Sequence, residues 1–160
     1  MATLWLATGP GEIDAVRGLF REYAATLNVD LGFQQFDDEV AGLPGPYAPP
    51  AGRLLLASVE GEVAGCVAIR PLAAGACELK RLYVRPGFRG CGLGAELAQC
   101  ALDQAREGGY HLIRLDTLPT MTAAQSLYRR LGFHEVAPYY STPVAGTVFF
   151  ERTLEPPDPR

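Results

Sequence analysis

Apolar residues in the first part of the chain recur with the spacing of an amphipathic helix. A short apolar run at residues 3–7 first predicts a strand. Apolar side chains then follow with helical spacing, at Ile13, Val16, Leu19, Phe20, Tyr23 and Leu27. This period predicts a helix over residues 9–27. A second, shorter helix is predicted over residues 33–43.

The middle of the chain has the pattern of a sheet. Residues 43–52 hold four prolines in ten positions, which excludes a helix or a central strand and predicts an ordered loop. Residues 53–72 predict two strands that are joined as a hairpin at Glu60 and Gly61. Residues 77–86 predict a third strand.

The last part of the chain alternates between helices and strands. One apolar face over residues 89–109 predicts a helix that ends at a pair of glycines. Thr122 to Gln125 has the form of a capping box, which predicts the start of a helix that ends at Gly132. Further strands are predicted at residues 111–117, 133–137 and 147–154. The order β-α-α-β-β-β-α-β-α-β-β predicts an α/β fold, a mixed sheet with helices on its faces.

Length and composition limit the class of protein. With 160 residues, of which 48% are hydrophobic and 20% are charged, the chain predicts one soluble domain over residues 1–154 and a frayed tail over residues 155–160. A net charge of -4 disfavours binding to nucleic acid or to an anionic membrane. The start of the chain lacks the pattern of a signal peptide, and the apolar runs are too short to span a membrane. We therefore predict a cytoplasmic protein.

The cysteines and histidines predict no metal site. The four cysteines form no C-x-x-C pair, and the two histidines lack the spacing of zinc ligands. Cys66, Cys77 and Cys100 fall in strand-like or helix-like runs, which is typical of buried, reduced thiols. Cys91 lies in a glycine-rich turn, where no sequence feature supplies a base to activate it.

That turn, VRPGFRGCGLG at residues 84–94, is the most informative segment. Gly90, Gly92 and Gly94 remove side chains where a helix begins, so that several backbone N–H groups are exposed at the positive end of the helix dipole. Such a site suits phosphate, and Arg85 and Arg89 can supplement its charge. The alternative is that the glycines only permit close packing of helix on sheet.

Three kinds of phosphate-binding site use a glycine-rich turn: a P-loop, a dinucleotide site and an acyl-coenzyme A site. A P-loop is excluded because no lysine follows the glycines. A dinucleotide motif is matched by Gly90, Gly92 and Ala95, with Asp116 about twenty residues on. In that fold, however, the first glycine directly follows a strand, whereas here residues 85–89 intervene. That fold also consists of βαβ units throughout, whereas here three predicted strands without helices precede the turn. The third ligand is acyl-coenzyme A.

The residues around the turn resemble those of the GNAT family of N-acetyltransferases. Residues 89–94, RGCGLG, fit its [Q/R]-x-x-G-x-[G/A] signature; LYVRP precedes them, and AAQSLYRRLGF later in the chain resembles its A-x-x-L-Y-x-x-x-G-F segment. The predicted strand order agrees over most of the chain. One departure is Met121, where many members carry an asparagine that contacts the cofactor.

The resemblance implies a fold, a cofactor and a reaction. It implies a mostly antiparallel sheet whose splayed middle strands hold acetyl-CoA, and direct acetyl transfer in a ternary complex to a primary amine of a small molecule or peptide. A homodimer is possible. The pyrophosphate would bind the turn at Arg89, Gly90, Cys91, Gly92, Leu93 and Gly94. The pantetheine arm would pair with Leu82, Tyr83 and Val84.

The catalytic candidates are Tyr128 and Glu78. Tyr128 falls on an inward-facing helical stripe and matches the family's proposed acid; alternatively it is a core tyrosine bonded to a carbonyl. Glu78, on the strand that leads to the turn, is the predicted base, acting through water. Alternatively, it pairs with Lys80 or Arg81 on an exposed stretch. Asp116 is a second candidate base, or else orders the turn that follows it.

The acceptor site is less clearly encoded. The resemblance implies that early helices and two loops build it, where candidates are Phe33, Tyr47, Tyr139 and Tyr140. Loop tyrosines serve equally as packing or dimer contacts. The acidic residues at 37–39 either attract a cationic amine or are simply solvated. Two other functions stay open, an acyl-CoA-binding sensor without catalysis and a dinucleotide-dependent oxidoreductase; Tyr128 favours catalysis.

Overall fold

Seven strands and four α-helices make up the structure, a computed structural model that describes residues 2–27 and 29–156, without the side chain of Phe33. The strands are β1 (Ala2–Leu6), β2 (Arg53–Val59), β3 (Glu62–Ala73), β4 (Ala76–Val84), β5 (Leu112–Thr117), β6 (His134–Val136) and β7 (Val148–Thr153). The helices are α1 (Pro10–Thr26), α2 (Phe36–Ala41), α3 (Leu93–Glu107) and α4 (Thr122–Arg130). Short 3-10 turns lie at Leu31–Gln34, Gly45–Tyr47 and Pro86–Phe88.

The strands form one sheet in the order β1-β2-β3-β4-β5-β7-β6. Every neighbouring pair is antiparallel except β4 and β5, which are parallel. The predicted order of elements and the mixed, mostly antiparallel α/β fold are therefore confirmed. A dinucleotide-binding fold, which consists of successive parallel βαβ units, is not supported.

Two apolar cores lie on the two faces of the sheet. On one face, α3 and α4 cover side chains such as Leu97, Ile113 and Phe150. On the other, α1 and α2 cover a cluster that includes Val16, Phe20 and Leu56. Helices thus pack on both faces, as predicted, and hold the sheet between them.

The central strands β4 and β5 pair only at one end. Their register begins at Ala76 with Leu112 and stops at Glu78 with Arg114. Within the described residues β4 continues to Val84 and β5 to Thr117, but the two strands do not pair with each other beyond Glu78 and Arg114. The splayed middle strands are confirmed, and a cleft opens between them.

A backbone irregularity in β4 accompanies this separation. Arg81 has a φ of 61°, in the left-handed region, and the register between β3 and β4 shifts at this point. A non-glycine residue in that conformation costs about 1–2 kcal/mol. The Arg81 guanidinium donates to both carboxylate oxygens of Glu39, at 3.0 and 3.1 Å, which fixes its position.

Three sequence predictions about local structure are wrong in detail. The helix expected over residues 33–43 is split into a 3-10 turn and α2, because Gln35 between them has a φ of 54°. The helix expected from Arg89 begins at Leu93, after two residues with positive φ. Thr122 does not cap α4: it is the first helical residue, and the Gln125 amide donates instead to the Leu118 carbonyl at 2.9 Å. The loop at residues 43–52 contains a 3-10 turn.

Of the helices in the described part of the chain, none combines the length and the apolar character needed to cross a bilayer.

Candidate active site

The glycine turn has a backbone that requires glycine. Gly90 and Gly92 both have a φ of +85°, which L-residues rarely adopt. A Cβ atom added at either position would meet nothing within 4 Å. Close packing of helix on sheet therefore does not explain these two glycines.

The first turn of α3 presents unpaired amides next to these glycines. Helical bonding begins where the Glu96 amide donates to the Gly92 carbonyl at 3.1 Å. The N–H groups of the residues between them lie outside the helical ladder, at the positive end of the helix dipole. Gly94 has room as well, since an added Cβ would meet only Val84 at 3.9 Å and Leu127 at 4.0 Å. This geometry suits an anionic group such as phosphate.

The two arginines predicted to supplement the turn behave differently. Arg89 lies at the turn, where its Nε donates to the Val84 carbonyl at 2.8 Å and its guanidinium lies 5.8 Å from the centre of the Tyr83 ring. Arg85 instead binds Glu22 on α1 at 2.7 Å, so its predicted contribution to the anion site is wrong. The pairing lowers the pKa of Glu22 below its usual value.

The turn opens into a cleft of about 650 Å³ between β4 and α4. Eight of the nine residues predicted to bind the cofactor line this cleft: Leu82, Tyr83, Val84, Arg89, Gly90, Gly92, Leu93 and Gly94. The exception is Cys91, whose exposed thiol donates to the Phe88 carbonyl at 3.0 Å. The side chain of Cys91 therefore turns away from the cleft wall.

A smaller cavity of about 50 Å³ adjoins this cleft where β4 and β5 separate. The two share wall residues on α1 and β4 and at the start of α4: Tyr23, Leu82, Met121 and Ala124. Further polar side chains line the cavity: Gln34, Lys80, Arg81, Asp116, Thr117 and Tyr128. The glycine turn and these polar side chains thus line two adjoining spaces that share a wall.

Tyr128 is held in this cavity by aromatic packing. Its ring lies edge-on to Phe133 at 5.6 Å and close to Phe150 at 6.1 Å, and 5% of the residue is exposed. Within the described residues its hydroxyl makes no hydrogen bond, so the alternative of a core tyrosine bonded to a carbonyl is not supported. Burial raises the pKa of Tyr128, so that the hydroxyl keeps its proton at neutral pH.

Glu78 is buried rather than exposed. It is 1% exposed and accepts from Arg70 at 2.8 Å and from the Tyr139 hydroxyl at 2.5 Å. The alternative pairing with Lys80 or Arg81 is wrong, because those side chains bind Gln34 and Glu39. Glu78 is not among the residues that line the cavity.

Asp116 lines the cavity directly and has a tyrosine partner of its own. The Tyr140 hydroxyl donates to its carboxylate. Tyr139 and Tyr140, which both pack edge-on against Phe149, therefore each bind one of the two candidate bases. Both bonds raise the pKa of the tyrosine, after the larger effect of burial.

Of the other two predicted acceptor residues, one lies in the core and the side chain of the other is not described. Tyr47 is 0% exposed and packs edge-on against Phe20 at 6.0 Å in the second core, so the prediction that it lines the acceptor site is wrong. Phe33 lies in a 3-10 turn, and its side chain is outside the described residues. Of the acidic residues at 37–39, the first two are exposed and Glu39 pairs with Arg81.

Several residues of the cavity were not predicted from the sequence. Tyr23 and Gln34 line it, although nothing in their local sequence marks them. Lys80 lines it too and is 5% exposed, and its amine donates to the Gln34 side-chain oxygen at 3.1 Å. Burial lowers the pKa of Lys80 below its usual value. A signal did exist, because Lys80 is the only lysine among 14 basic residues.

The described residues contain no group of three potential metal ligands, and the candidate chemistry consists of carboxylates, tyrosines and one lysine.

Comparison with known proteins gives consistent matches. Residues 15–133 match the family model described as Acetyltransferase (GNAT) family. Over 142 residues the chain is 41% identical to an uncharacterized N-acetyltransferase of Schizosaccharomyces pombe, which spans 88% of this chain and 87% of that protein.

Solved structures share the fold. An acetyltransferase of the GNAT family from Staphylococcus aureus has a TM-score of 0.79 at 18% identity, over 97% of this chain and 100% of that one. The PaiA N-acetyltransferase of Thermoplasma acidophilum, solved in complex with coenzyme A, has a TM-score of 0.74 at 15% identity, over 96% of this chain and 99% of that one.

Proposed function

Because the chain belongs to the acetyltransferase (GNAT) family and is an N-acetyltransferase that uses acetyl-CoA, we propose that it transfers the acetyl group directly to a primary amine in a ternary complex. The acceptor is a small molecule or a peptide. The observation that carries this proposal is that the cleft at the glycine turn adjoins, through shared wall residues, a cavity lined by Tyr128 and Asp116.

The cleft fits the cofactor on the chain's own geometry. The amides at Gly90 to Gly94 suit the pyrophosphate, because Gly90 and Gly92 leave the approach free of side chains. The Arg89 amide already donates to the Pro86 carbonyl at 3.4 Å, so we propose that Arg89 contributes its guanidinium. The edge of β4 from Leu82 to Val84 faces the cleft where β5 has separated, so its backbone suits the amides of the pantetheine arm. We propose that Cys91 contributes through its backbone alone, since its thiol bonds to the Phe88 carbonyl.

Acetyl-CoA, when bound, supplies the acetyl group as a thioester. An amine acceptor must lose a proton to react, and a carboxylate within hydrogen-bond reach can take it. Of the two candidate bases, Asp116 lines the cavity. Glu78 does not line it, and its carboxylate accepts a hydrogen bond from the Tyr139 hydroxyl. We therefore favour Asp116 for the direct proton transfer and keep Glu78, the base predicted from the sequence, as the group that acts at a distance.

Tyr128 is the proposed acid. Its hydroxyl keeps a proton because burial raises its pKa, and that proton is available to the sulfur that leaves. An acceptor that enters as an ammonium first gives one proton to Asp116, which passes it to solvent. The nitrogen loses a second proton to the same carboxylate as the amide forms, and Tyr128 gives one proton to the departing thiolate, so that one proton is released overall. The free cysteines support the predicted location in a reducing compartment such as the cytoplasm. A single domain over residues 1–154 and a possible homodimer stay predictions.

Release of free thiol from acetyl-CoA, measured over a panel of amines, tests the proposal. We expect at least one primary amine to raise thiol release well above the rate of hydrolysis, and mass spectrometry to find the acetyl group on its nitrogen. If calorimetry finds acetyl-CoA bound while every amine fails, the chain is a sensor without catalysis. If acetyl-CoA does not bind at all, the function proposed for the cleft is wrong.

A further inference from the structure

Lys80 stands out in the cavity because of where the chain places its only lysine. Thirteen arginines supply the other basic side chains, and the single lysine lies on β4 with 5% of its surface exposed. Lysine is among the residues least often buried, since removing its ammonium from water is costly. A buried lysine in the wall of a reaction cavity therefore calls for a partner.

The partners present leave Lys80 short of negative charge. Its ammonium carries three N–H donors, and one of them binds the neutral Gln34 side chain at 3.1 Å. Its basic neighbours each have a carboxylate partner, because Arg81 pairs with Glu39 and Arg70 pairs with Glu78. Among the described residues, no carboxylate lies within 4.0 Å of Lys80. The cavity therefore has a cationic wall with spare donors.

The opposite charge lies elsewhere in the same cavity. Lys80 binds Gln34, the Gln34 amide donates to the Tyr140 hydroxyl at 3.3 Å, and that hydroxyl donates to Asp116. The ammonium and the carboxylate are thus the two ends of one short chain of hydrogen bonds, and both line the cavity. A ligand with a positive and a negative group close together would complement both.

We propose that the amine acceptor also carries a carboxylate, as a small amino acid does, and that Lys80 binds this carboxylate while Asp116 binds the ammonium. The inference rests on the proposed function and narrows its acceptor class. The cavity is small, about 50 Å³, which favours a compact headgroup over a bulky one. An ion pair with the ligand also provides the negative charge that Lys80 lacks within the protein.

Matched acceptors test the inference with the intact enzyme. Amino acids are compared with their carboxamides, which keep the amine and lose the negative charge. We expect kcat/KM to favour the acid form by roughly tenfold to a hundredfold, as for a lost charged hydrogen bond. Equal rates, or a preference for the carboxamides, would overturn the inference while leaving acetyl transfer intact. Failure of both sets of acceptors, with acetyl-CoA bound, would count against the proposed function instead.

Variants at Lys80 separate carboxylate binding from other roles. In Lys80→Met we expect the preference for the acid form to vanish because the KM of the acid form rises, with a much smaller change in the KM of the carboxamides. In Lys80→Arg the retained charge should restore part of the preference. An equal loss of kcat for both sets of acceptors would mean that Lys80 acts as a base, and would overturn the inference. Arg21→Met, which removes an exposed cation on α1, is the matched control.

A spectroscopic test avoids any dependence on a variant's folding. Because the chain has one lysine, labelling with carbon-13 lysine gives a single side-chain NMR signal, that of Lys80. The charged groups around it are Glu78 and Arg81 on its own strand, Arg70 on β3 and Asp116 on β5. With coenzyme A present, acetate should shift this signal and raise the Lys80 pKa, whereas acetamide should not. An unchanged pKa at saturating acetate and at saturating amino acid would overturn the inference.

Discussion

Arg81 and Glu39 form a two-pronged ion pair that fixes the backbone irregularity of β4. The two N–H···O distances are 3.0 and 3.1 Å, and the side chains are 3% and 10% exposed. Arg81 occupies the left-handed region at the point where β4 shifts its register against β3, in the part of β4 that no longer pairs with β5. A pair that links α2 to this strand therefore stabilises the shape of the cleft.

Removing Glu39 is expected to destabilise the fold. Glu39→Ala leaves the Arg81 charge buried without its carboxylate, which costs about 3 kcal/mol of the free energy of unfolding. Urea denaturation measures this loss. The neighbouring Asp38→Ala, at an exposed position of the same helix, is the control and should change the free energy by less than about 0.5 kcal/mol. Equal effects of the two substitutions would contradict the role given to the pair.

Gly92→Ala is expected to weaken both stability and cofactor binding. Alanine at a φ of +85° costs about 1–2 kcal/mol, and its methyl group would occupy the approach to the α3 amides. Denaturation and calorimetric titration with coenzyme A measure the two effects separately.

Gly87→Ala is the matched control for that substitution. It lies in the same loop, has no positive φ, and has nothing within 4 Å of an added Cβ. We expect unchanged stability within about 0.5 kcal/mol and unchanged affinity for coenzyme A. If Gly92→Ala binds coenzyme A as tightly as the original chain does, the amides at the turn are not the phosphate site.

Tyr128→Phe is expected to lower turnover without loss of cofactor. The hydroxyl has no hydrogen-bond partner among the described residues, so its removal should change the free energy of unfolding by less than about 1 kcal/mol. Loss of an acid lowers kcat by about 10²–10⁴-fold. Steady-state kinetics and coenzyme A titration check the two halves of this expectation. Unchanged kcat would remove Tyr128 from the mechanism.

The tyrosines are expected to make the fold sensitive to alkali. Burial is the main cause that raises the pKa of each tyrosine above its usual value of about 10: Tyr23, Tyr47, Tyr83, Tyr110, Tyr128, Tyr139 and Tyr140. The folded state then keeps protons that the unfolded state releases. Stability from this source is fully present below about pH 10 and is lost as the pH rises through the raised values.

Tyrosinate absorbance and thermal unfolding, followed together, measure this effect. We expect little tyrosinate in the folded protein until the pH at which the fold is lost, and a falling Tm above about pH 10. Lys80 has the opposite effect on stability, because its pKa is lowered from 10.5 and the folded state binds its proton less tightly. One lysine is outweighed by the seven tyrosines. Tyrosinate that appears near pH 10 with an unchanged Tm would contradict the burial described above.

The sequence predicted what local patterns encode. The order of elements follows from apolar periodicity, and the turn before α3 follows from the spacing of Gly90 and Gly92, because both depend on residues near one another in the chain. Helix boundaries failed where a single residue broke the period, as Gln35 does with its positive φ. Such breaks depend on tertiary contacts that a local pattern does not contain.

Contacts between distant residues were not predictable from these patterns. Glu78 lies on a charged stretch, a pattern that predicts exposure, yet its side chain is buried. Its partners are Arg70 on β3 and Tyr139 in the loop between β6 and β7, both distant in the sequence. Tyr47 sits among prolines and glycines and still reaches the core. Gln34 and Tyr140 are 106 residues apart, so the polar network around Lys80 appears only in three dimensions.

The assignment of the base can be decided by comparing the two carboxylates. Asp116→Asn removes the group that lines the cavity, and we expect kcat to fall by about 10²–10⁴-fold with coenzyme A affinity unchanged. Glu78→Gln leaves Arg70 and the Tyr139 hydroxyl with a neutral partner, so we expect a lower Tm and a smaller loss of kcat.

Acceptor amines of different pKa distinguish the loss of a base from a disturbance of the fold. An acceptor amine of low pKa reaches the cavity already deprotonated, so it should recover much of the activity of Asp116→Asn and little of that lost in Glu78→Gln. Tyr140→Phe and Tyr139→Phe form a second matched pair, because each removes one donor to one carboxylate and leaves the other intact. If rescue by weakly basic amines instead occurs in Glu78→Gln, the proton passes to Glu78, and the sequence-based assignment of the base is the correct one.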